Sequence, residues 1–149
     1  MKLLIVDQNE RNLYAAEGML AHHTLDTANT LELLIEVLES PAQFDAILTD
    51  DSLFVANVRL DQWLVDMDDL PTTVPIGLHM VVLAMVTNTR CVVVTENKDL
   101  TIKLLGHIVR DSRSVVVVDA ASVSVHGEKN WLRAMEQSGL FAQREIDGK

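Results

Sequence analysis

Four short apolar runs punctuate the chain, and each ends abruptly in a polar side chain. Leu3-Leu4-Ile5-Val6 runs into Asp7, Ala46-Ile47-Leu48 into Thr49-Asp50, Cys91-Val92-Val93-Val94 into Thr95, and Val115–Val118 into Asp119. Continuous runs this short and this rich in β-branched residues read as strands covered on both faces. Thr24–Ala28 is a weaker fifth strand. Between the strands the period changes to that of a helix. Leu13, Ala16 and Leu20 mark a helix over Glu10–Ala21, and Leu31, Leu34, Ile35 and Leu38 mark a second. Asn29 and Glu32 form a capping-box-like pair before that second helix, and Pro41 stops it. Leu78, Val81, Val82 and Met85 predict a third helix, with Thr73 as cap and Pro75 in its first turn. Leu104, Leu105, Ile108 and Val109 give a fourth over Lys98–Arg110, capped by Asn97, and a last helix covers Lys129–Ser138 up to Gly139. Residues 52–73 show no sustained period and read as a long acidic loop, with a short helix near Leu60–Val65. Residues 143–149 read as a loose tail behind a single domain at 1–142.

Strands that alternate with helices and stay apolar on both faces predict an α/β fold. Its core is a doubly wound five-stranded parallel sheet with helices on both faces. The length, 149 residues, suits one domain with a proper core. A net charge of −10 argues against a protein that reads a nucleic-acid backbone. The single Cys91 sits in an apolar run and reads as a small buried hydrophobe. No signal peptide opens the chain, and the longest apolar stretch, Val74 to Val86, falls short of the roughly 20 residues of a membrane span. A cytoplasmic protein without membrane insertion is the expectation.

The candidate chemistry lies at the strand ends. In an open α/β sheet the carboxyl ends of the strands share one edge, where ligands bind. Asp7, Asp50 and Thr95 would meet there. Mg²⁺ favours one or two carboxylates plus waters and substrate oxygens, which Asp7 and Asp50 can supply. A hydroxyl at Thr95 can donate to a phosphoryl oxygen carried on Asp50.

These stretches resemble the receiver domain of two-component response regulators. Leu3-Leu4-Ile5-Val6-Asp7 resembles the family's first strand and acidic turn. Phe44-Asp45-Ala46-Ile47-Leu48-Thr49-Asp50 resembles its third strand, and Cys91-Val92-Val93-Val94-Thr95 its fourth. The resemblance implies a flavodoxin-like fold with strand order 2-1-3-4-5, and Asp50 as phosphoacceptor. It implies Mg²⁺ held by Asp7, Asp50 and the backbone carbonyl of Ser52, with Thr95 sensing the phosphoryl group. The implied partners are a histidine kinase or phosphotransfer protein upstream and a protein partner downstream; a homodimer is left open. The chain departs from the family in three places. Gln8 stands where a second acid is usual, which weakens the Mg²⁺ site, and Glu10 is a candidate to compensate through a water. Asp50 and Thr95 are 45 residues apart, a spacing lengthened by the loop at 52–73. No Lys-Pro pair follows the fifth strand. The nearest lysine is Lys129, ten residues past Asp119, and it reaches the site only if Ser122–Glu128 folds back over it.

Three functions remain on these grounds. The first is a stand-alone receiver phosphorylated on Asp50 and acting through protein contacts, a signalling domain rather than a turnover enzyme. The second is a degenerate receiver that binds partners without phosphorylation. The third is a small phosphohydrolase of the haloacid-dehalogenase type using Asp7, which would need an acid where Asn9 stands. The five histidines have no metal-ligand spacing; His22 and His23 read as exposed at a helix end, and Trp63 and Trp131 as packing anchors.

Overall fold

The computed structural model describes residues 1–40, 43–54, 73–125 and 127–149. The expected helix at Leu60–Val65, Trp63 and most of the acidic loop lie outside them. Five strands form one parallel sheet: β1 (Lys2–Val6), β2 (Thr24–Ala28), β3 (Ala46–Thr49), and further along the chain Arg90–Thr95 and Val115–Asp119. Two short strands, β4 (Leu53–Phe54) and β5 (Thr73–Val74), form a separate antiparallel ladder, so Arg90–Thr95 is β6 and Val115–Asp119 is β7. The sheet order is β2-β1-β3-β6-β7, which is the order 2-1-3-4-5 of a flavodoxin-like α/β fold.

The continuous apolar runs are buried on both sides because alternate residues face opposite layers. Leu3, Ile5, Leu48, Val92 and Val94 pack with helix α1 (Glu10–Met19) and with helix α6 (Trp131–Ser138) through Leu13, Ala16, Trp131 and Met135. Leu4, Val6, Ile47, Cys91 and Val93 face the other layer. There they meet Leu34 of α2 (Leu31–Glu39), Met80 and Val81 of α3 (Ile76–Thr87) and Leu105 of α4 (Lys98–Asp111). Cys91 is a buried free thiol, and burial pushes its pKa up to about 12. No helix among the described residues is long and apolar enough to cross a membrane.

Several local expectations change. The cap of α2 is Thr30, whose hydroxyl accepts from Leu33 N–H, rather than Asn29. The predicted stripe on α3 is rotated: Ile76, Met80, Val81 and Ala84 are buried, while Leu78, Val82 and Met85 are exposed. That helix is apolar nearly all round, so its period cannot select a face. Pro75 is its N-cap and makes no side-chain cap hydrogen bond, and Thr73 lies in β5. The side chains of Leu104, Ile108 and Val109 lie outside the described set.

The C-terminal third differs most. The polar stretch after β7 holds a single-turn helix, α5 (Ala120–Val123), and a hairpin of β8 (Ser124–Val125) and β9 (Glu128–Lys129). The turn includes Gly127 at φ 83°, a conformation that favours glycine. Lys129 is therefore a strand residue, not the start of the last helix. The tail is not loose either: it carries α7 (Gln143–Ile146), with Ile146 buried against the Trp131 layer. Arg90 pairs with Glu145 at 3.0 Å. His22 is exposed but His23 is buried, and the Nε2 atoms of both approach the Ile146 carbonyl, at 2.7 and 3.1 Å. Burial holds the His23 pKa below the ordinary histidine value.

Ile146→Ala is expected to lower the unfolding free energy by about 2–4 kcal/mol in urea denaturation, the cost of emptying a packed aliphatic site. A change within about 0.5 kcal/mol, as for surface substitutions, would mean that the tail does not contribute to the core.

Candidate functional site

Parallel pairing delivers Asp7 and Asp50 to the same edge. Val6 pairs with Thr49, and the next residue on each strand is the carboxylate. Asp50 N–H donates to the Val6 carbonyl at 2.7 Å, and Asp7 N–H to the Ala28 carbonyl at 3.1 Å, so both backbones are fixed by the sheet. Thr95 ends β6, the next strand over. The edge opens as a cleft of about 310 Å³. It is lined by Asp7, Gln8, Asn12, Asp50, Asp51 and Lys129, and also by Asn9, Ser52, Glu96 and Asn97. A larger groove of about 450 Å³ lies at the other end of β3, lined by Leu38, Phe44, Ile47 and Leu83 among others. Among the described residues that line it, the one acid is Asp45, which accepts from the Lys2 N–H, and there is no lysine or arginine. The smaller cleft is where charged groups converge.

Lys129 reaches that cleft from the far end of the chain. Its Nζ lies 2.7 Å from Asp7 Oδ2 and 3.1 Å from Asp50 Oδ1. Asp7 is fully buried and Lys129 is 5% exposed. Buried charges persist only when paired and hydrogen-bonded. Asp7 meets that condition: Oδ1 accepts from Asn9 N–H at 2.8 Å, and Oδ2 accepts from Asn12 Nδ2 at 3.1 Å as well as from Lys129.

Asn12 holds the arrangement together. Its Nδ2 donates to Asp7, its Oδ1 accepts the Lys129 backbone N–H at 3.0 Å, and its carbonyl accepts the Trp131 indole N–H at 2.8 Å. One residue of α1 thus fixes the acid, the lysine and the helix behind the lysine. Sequence reasoning missed Asn12. Its signal was a polar residue immediately before Leu13, on the inward side of an amphipathic helix.

Burial favours the neutral form of both Asp50 and Lys129, and the outcome differs between them. Asp50 is pushed up to about 7: burial raises it, the Lys129 ammonium opposes that, and the Asp7 charge adds to it. For Lys129 burial lowers the pKa, but Asp7 and Asp50 outweigh it and raise the value, so the amine stays an ammonium.

The other expected residues divide. Thr95 is fully buried at the edge, but its hydroxyl donates to Asp51 Oδ2 at 2.8 Å rather than to Asp50. It also contacts the Thr101 hydroxyl at 3.1 Å and accepts from Asn97 N–H. Asp51 is therefore a cleft residue, and its own N–H donates to Asp50 Oδ1 at 2.8 Å. Gly77 allows this turn to pack against α3: a Cβ there would come within 3.0 Å of the Asp51 Cα. Ser52 lines the cleft. Glu10 does not; it is exposed and accepts from Asn29 Nδ2 at 3.3 Å. Asp119 caps α5 and Asn9 caps α1, so neither side chain is arranged as a second acid for Asp7.

The donor set does not fit Mg²⁺ as it stands. Both Asp7 oxygens and Asp50 Oδ1 are taken by protein donors, and the ammonium lies between the two carboxylates. Gln8 supplies no charge, and its Oε1 is sealed from solvent with no hydrogen-bond partner among the described residues. Among the described residues no group of three or more His, Cys, Asp or Glu side chains converges to hold a metal. A scan against protein-family models finds none that matches the chain, and a search of curated proteins finds no match.

The raised Asp50 pKa carries a stability consequence. A carboxyl with a higher pKa folded than unfolded binds more protons in the folded state, so its contribution weakens as pH climbs from about 4 towards 7. Asp50→Asn removes that loss. Its unfolding free energy relative to the natural chain is expected to rise by a few kcal/mol (~1.4 kcal/mol per pKa unit) between pH 4.5 and pH 8. Urea denaturation at both pH values checks it, and a constant difference would refute the raised pKa.

Proposed function

We propose that this chain is a cytoplasmic receiver-like signalling module in which Asp50 accepts a phosphoryl group and the result is read by a protein partner. The observation that carries the reading is Lys129 Nζ bridging Asp50 and Asp7 at the carboxyl edge of a 2-1-3-4-5 sheet. An acceptor carboxylate needs a cation beside it to offset the charge of the incoming group. Here that cation arrives on a hairpin instead of on the residue after the fifth strand.

The transfer would form a bond between an Asp50 carboxylate oxygen and phosphorus. The bond from phosphorus to the donor breaks, and the leaving group takes up a proton. A histidine kinase or phosphotransfer protein is the donor this reading implies. Near neutral pH the raised pKa leaves a sizeable fraction of Asp50 ionised and nucleophilic. Once the phosphoryl group is in place, Lys129 gains a stronger anionic partner than the carboxylate it had. Phosphorylation then biases a two-state equilibrium at the surface; it does not turn over a substrate.

A specific contact favours a second reading, the interaction module that is not phosphorylated. Thr95 is committed to Asp51, and Gln8 replaces an acid. Both features weaken phosphoryl chemistry while leaving the fold intact.

Incubation with phosphoramidate, followed by intact mass, separates the two. The expected result is one added phosphoryl group on the natural chain and on Asp51→Asn, and none on Asp50→Asn. No gain on any of the three would leave the unphosphorylated interaction module.

A further inference from the structure

The Lys129 ammonium lies between the two carboxylates that a metal would have to share. We propose that the Lys129 ammonium is the resident cation of this cleft and keeps divalent metal ions out of it. The inference takes the cleft as the functional site, as the proposed function does, but it holds whether or not Asp50 is phosphorylated.

Three observations carry it. First, three of the carboxylate oxygens that would ligate a metal, both of Asp7 and Oδ1 of Asp50, are already engaged. Asp7 accepts from Asn9 N–H, Asn12 Nδ2 and Lys129 Nζ, and Asp50 Oδ1 accepts from Asp51 N–H and Lys129 Nζ. Mg²⁺ demands near-ideal octahedral oxygen geometry and gives up its waters reluctantly, so it competes poorly for oxygens that face protein donors. Second, Lys129 is held at both ends. Its backbone N–H is fixed on Asn12 Oδ1, its Nζ lies on two carboxylates, and the next helix begins with the fully buried Trp131. A free surface lysine would swing away from an arriving metal; this one is part of the hairpin and of the core. Third, the charge sums differently from a metal site. Asp7 and Asp50 together contribute at most two negative charges, and Lys129 returns one. A divalent ion on the same carboxylates would sit within ion-pair distance of the ammonium and be repelled in a partly desolvated cleft. Gln8 adds no charge to tip the balance.

Asp51 and Glu96 also line the cleft and make its mouth acidic. Their charge draws cations towards the opening. It does not supply converging ligands, and Asp51 Oδ2 already accepts from Thr95.

The probe is Mn²⁺, read by paramagnetic broadening of backbone amides in the full-length chain. In the natural protein the amides of Asp7, Gln8, Asp50 and Asp51 should persist at Mn²⁺ concentrations that erase them in Lys129→Met. That variant keeps an apolar stem and removes the charge, and its apparent affinity should be more than about tenfold higher. Adding Asp7→Asn to it should abolish the gain. Equal broadening in the natural chain and in Lys129→Met overturns the proposal. So does a folded Lys129→Met that stays as silent as the natural chain, because the ammonium would then not be what excludes the metal. A measurement on the natural protein decides the matter if that variant does not fold. A ligand that binds only the folded state raises the urea midpoint. Mg²⁺ should leave the midpoint where NaCl of equal ionic strength leaves it, and a clear rise with Mg²⁺ overturns the proposal. None of these readouts depends on phosphoryl gain, so failure here and failure of the phosphoacceptor reading are separate results.

Discussion

One ammonium between two buried carboxylates governs the carboxyl edge of the sheet in this protein. Asp7 has no exposed surface, and an ionised carboxylate in that position costs several kcal/mol unless donors replace the lost water. The replacement comes from three places in the chain: the turn after β1, the first helix and the hairpin before the last long helix. Removing any one leaves charge in a place that cannot solvate it. The pair need not add net stability over an apolar substitute, since buried ion pairs often roughly break even. What it does is specify position. The hairpin has only two residues on each strand, and its hydrogen bonds alone are too few to hold it against the sheet. The Lys129 contacts and the Asn12 bridge supply the register.

The rest of the fold can be read as the support for that edge. Parallel pairing in strict register sets Asp7 beside Asp50, and the burial of alternate residues on both faces makes that register costly to slip. The Trp131 side chain serves both ends of the problem. Its ring fills the core beneath α1 and α6, while its indole N–H ties α6 to the Asn12 carbonyl and so places the preceding lysine. The tail repeats the pattern at the opposite end of the sheet. Ile146 is drawn into the same layer, and His22, His23 and Arg90 close over α7.

How much of this was legible in the sequence depended on how local the signal was. Four of the five strands of the parallel sheet were readable because a run of apolar, β-branched residues ending in a carboxylate or hydroxyl has few other interpretations; Thr24–Ala28 gave a weaker signal. Asp7 and Asp50 followed from the strand ends without further help. The helical faces were less legible. On α1 the pattern marks Leu13 and Ala16 correctly, whereas α3 carries apolar residues on every side and its period points at the wrong stripe. Lys129 could be singled out only as the nearest lysine. Nothing in Ser124–Lys129 announces a hairpin, because two-residue strands have no period, and a folded-back turn is a tertiary event. The same holds for Thr95: its strand-end position was visible, but its choice of Asp51 over Asp50 depends on the turn after β3 and on Gly77. Tail order and the burial of His23 also come from long-range contacts, which leave no mark in a short window.

The adjacency of Asp50 and Asp51 is where structure and proposed chemistry meet. The two acids divide the available donors: Lys129 goes to Asp50, and the Thr95 hydroxyl goes to Asp51. In this arrangement the cation and the strand-end hydroxyl do not share one oxygen. A group added to Asp50 would bring new oxygens within reach of Lys129, and the ammonium can follow them only by loosening its hold on Asp7. Asp7 is anchored through Asn12 to the hairpin and to Trp131, so a change at Asp50 has a physical route to α6. Thr95 has a separate choice to make, between Asp51 and the new oxygens, and it opens towards α4 through Thr101. Two routes lead from one carboxylate to two helices on opposite faces of the sheet. A ligand shifts a conformational equilibrium only by its differential contacts with the two states. Here those contacts are identifiable: the Lys129–Asp7 bond on one side and the Thr95–Asp51 bond on the other.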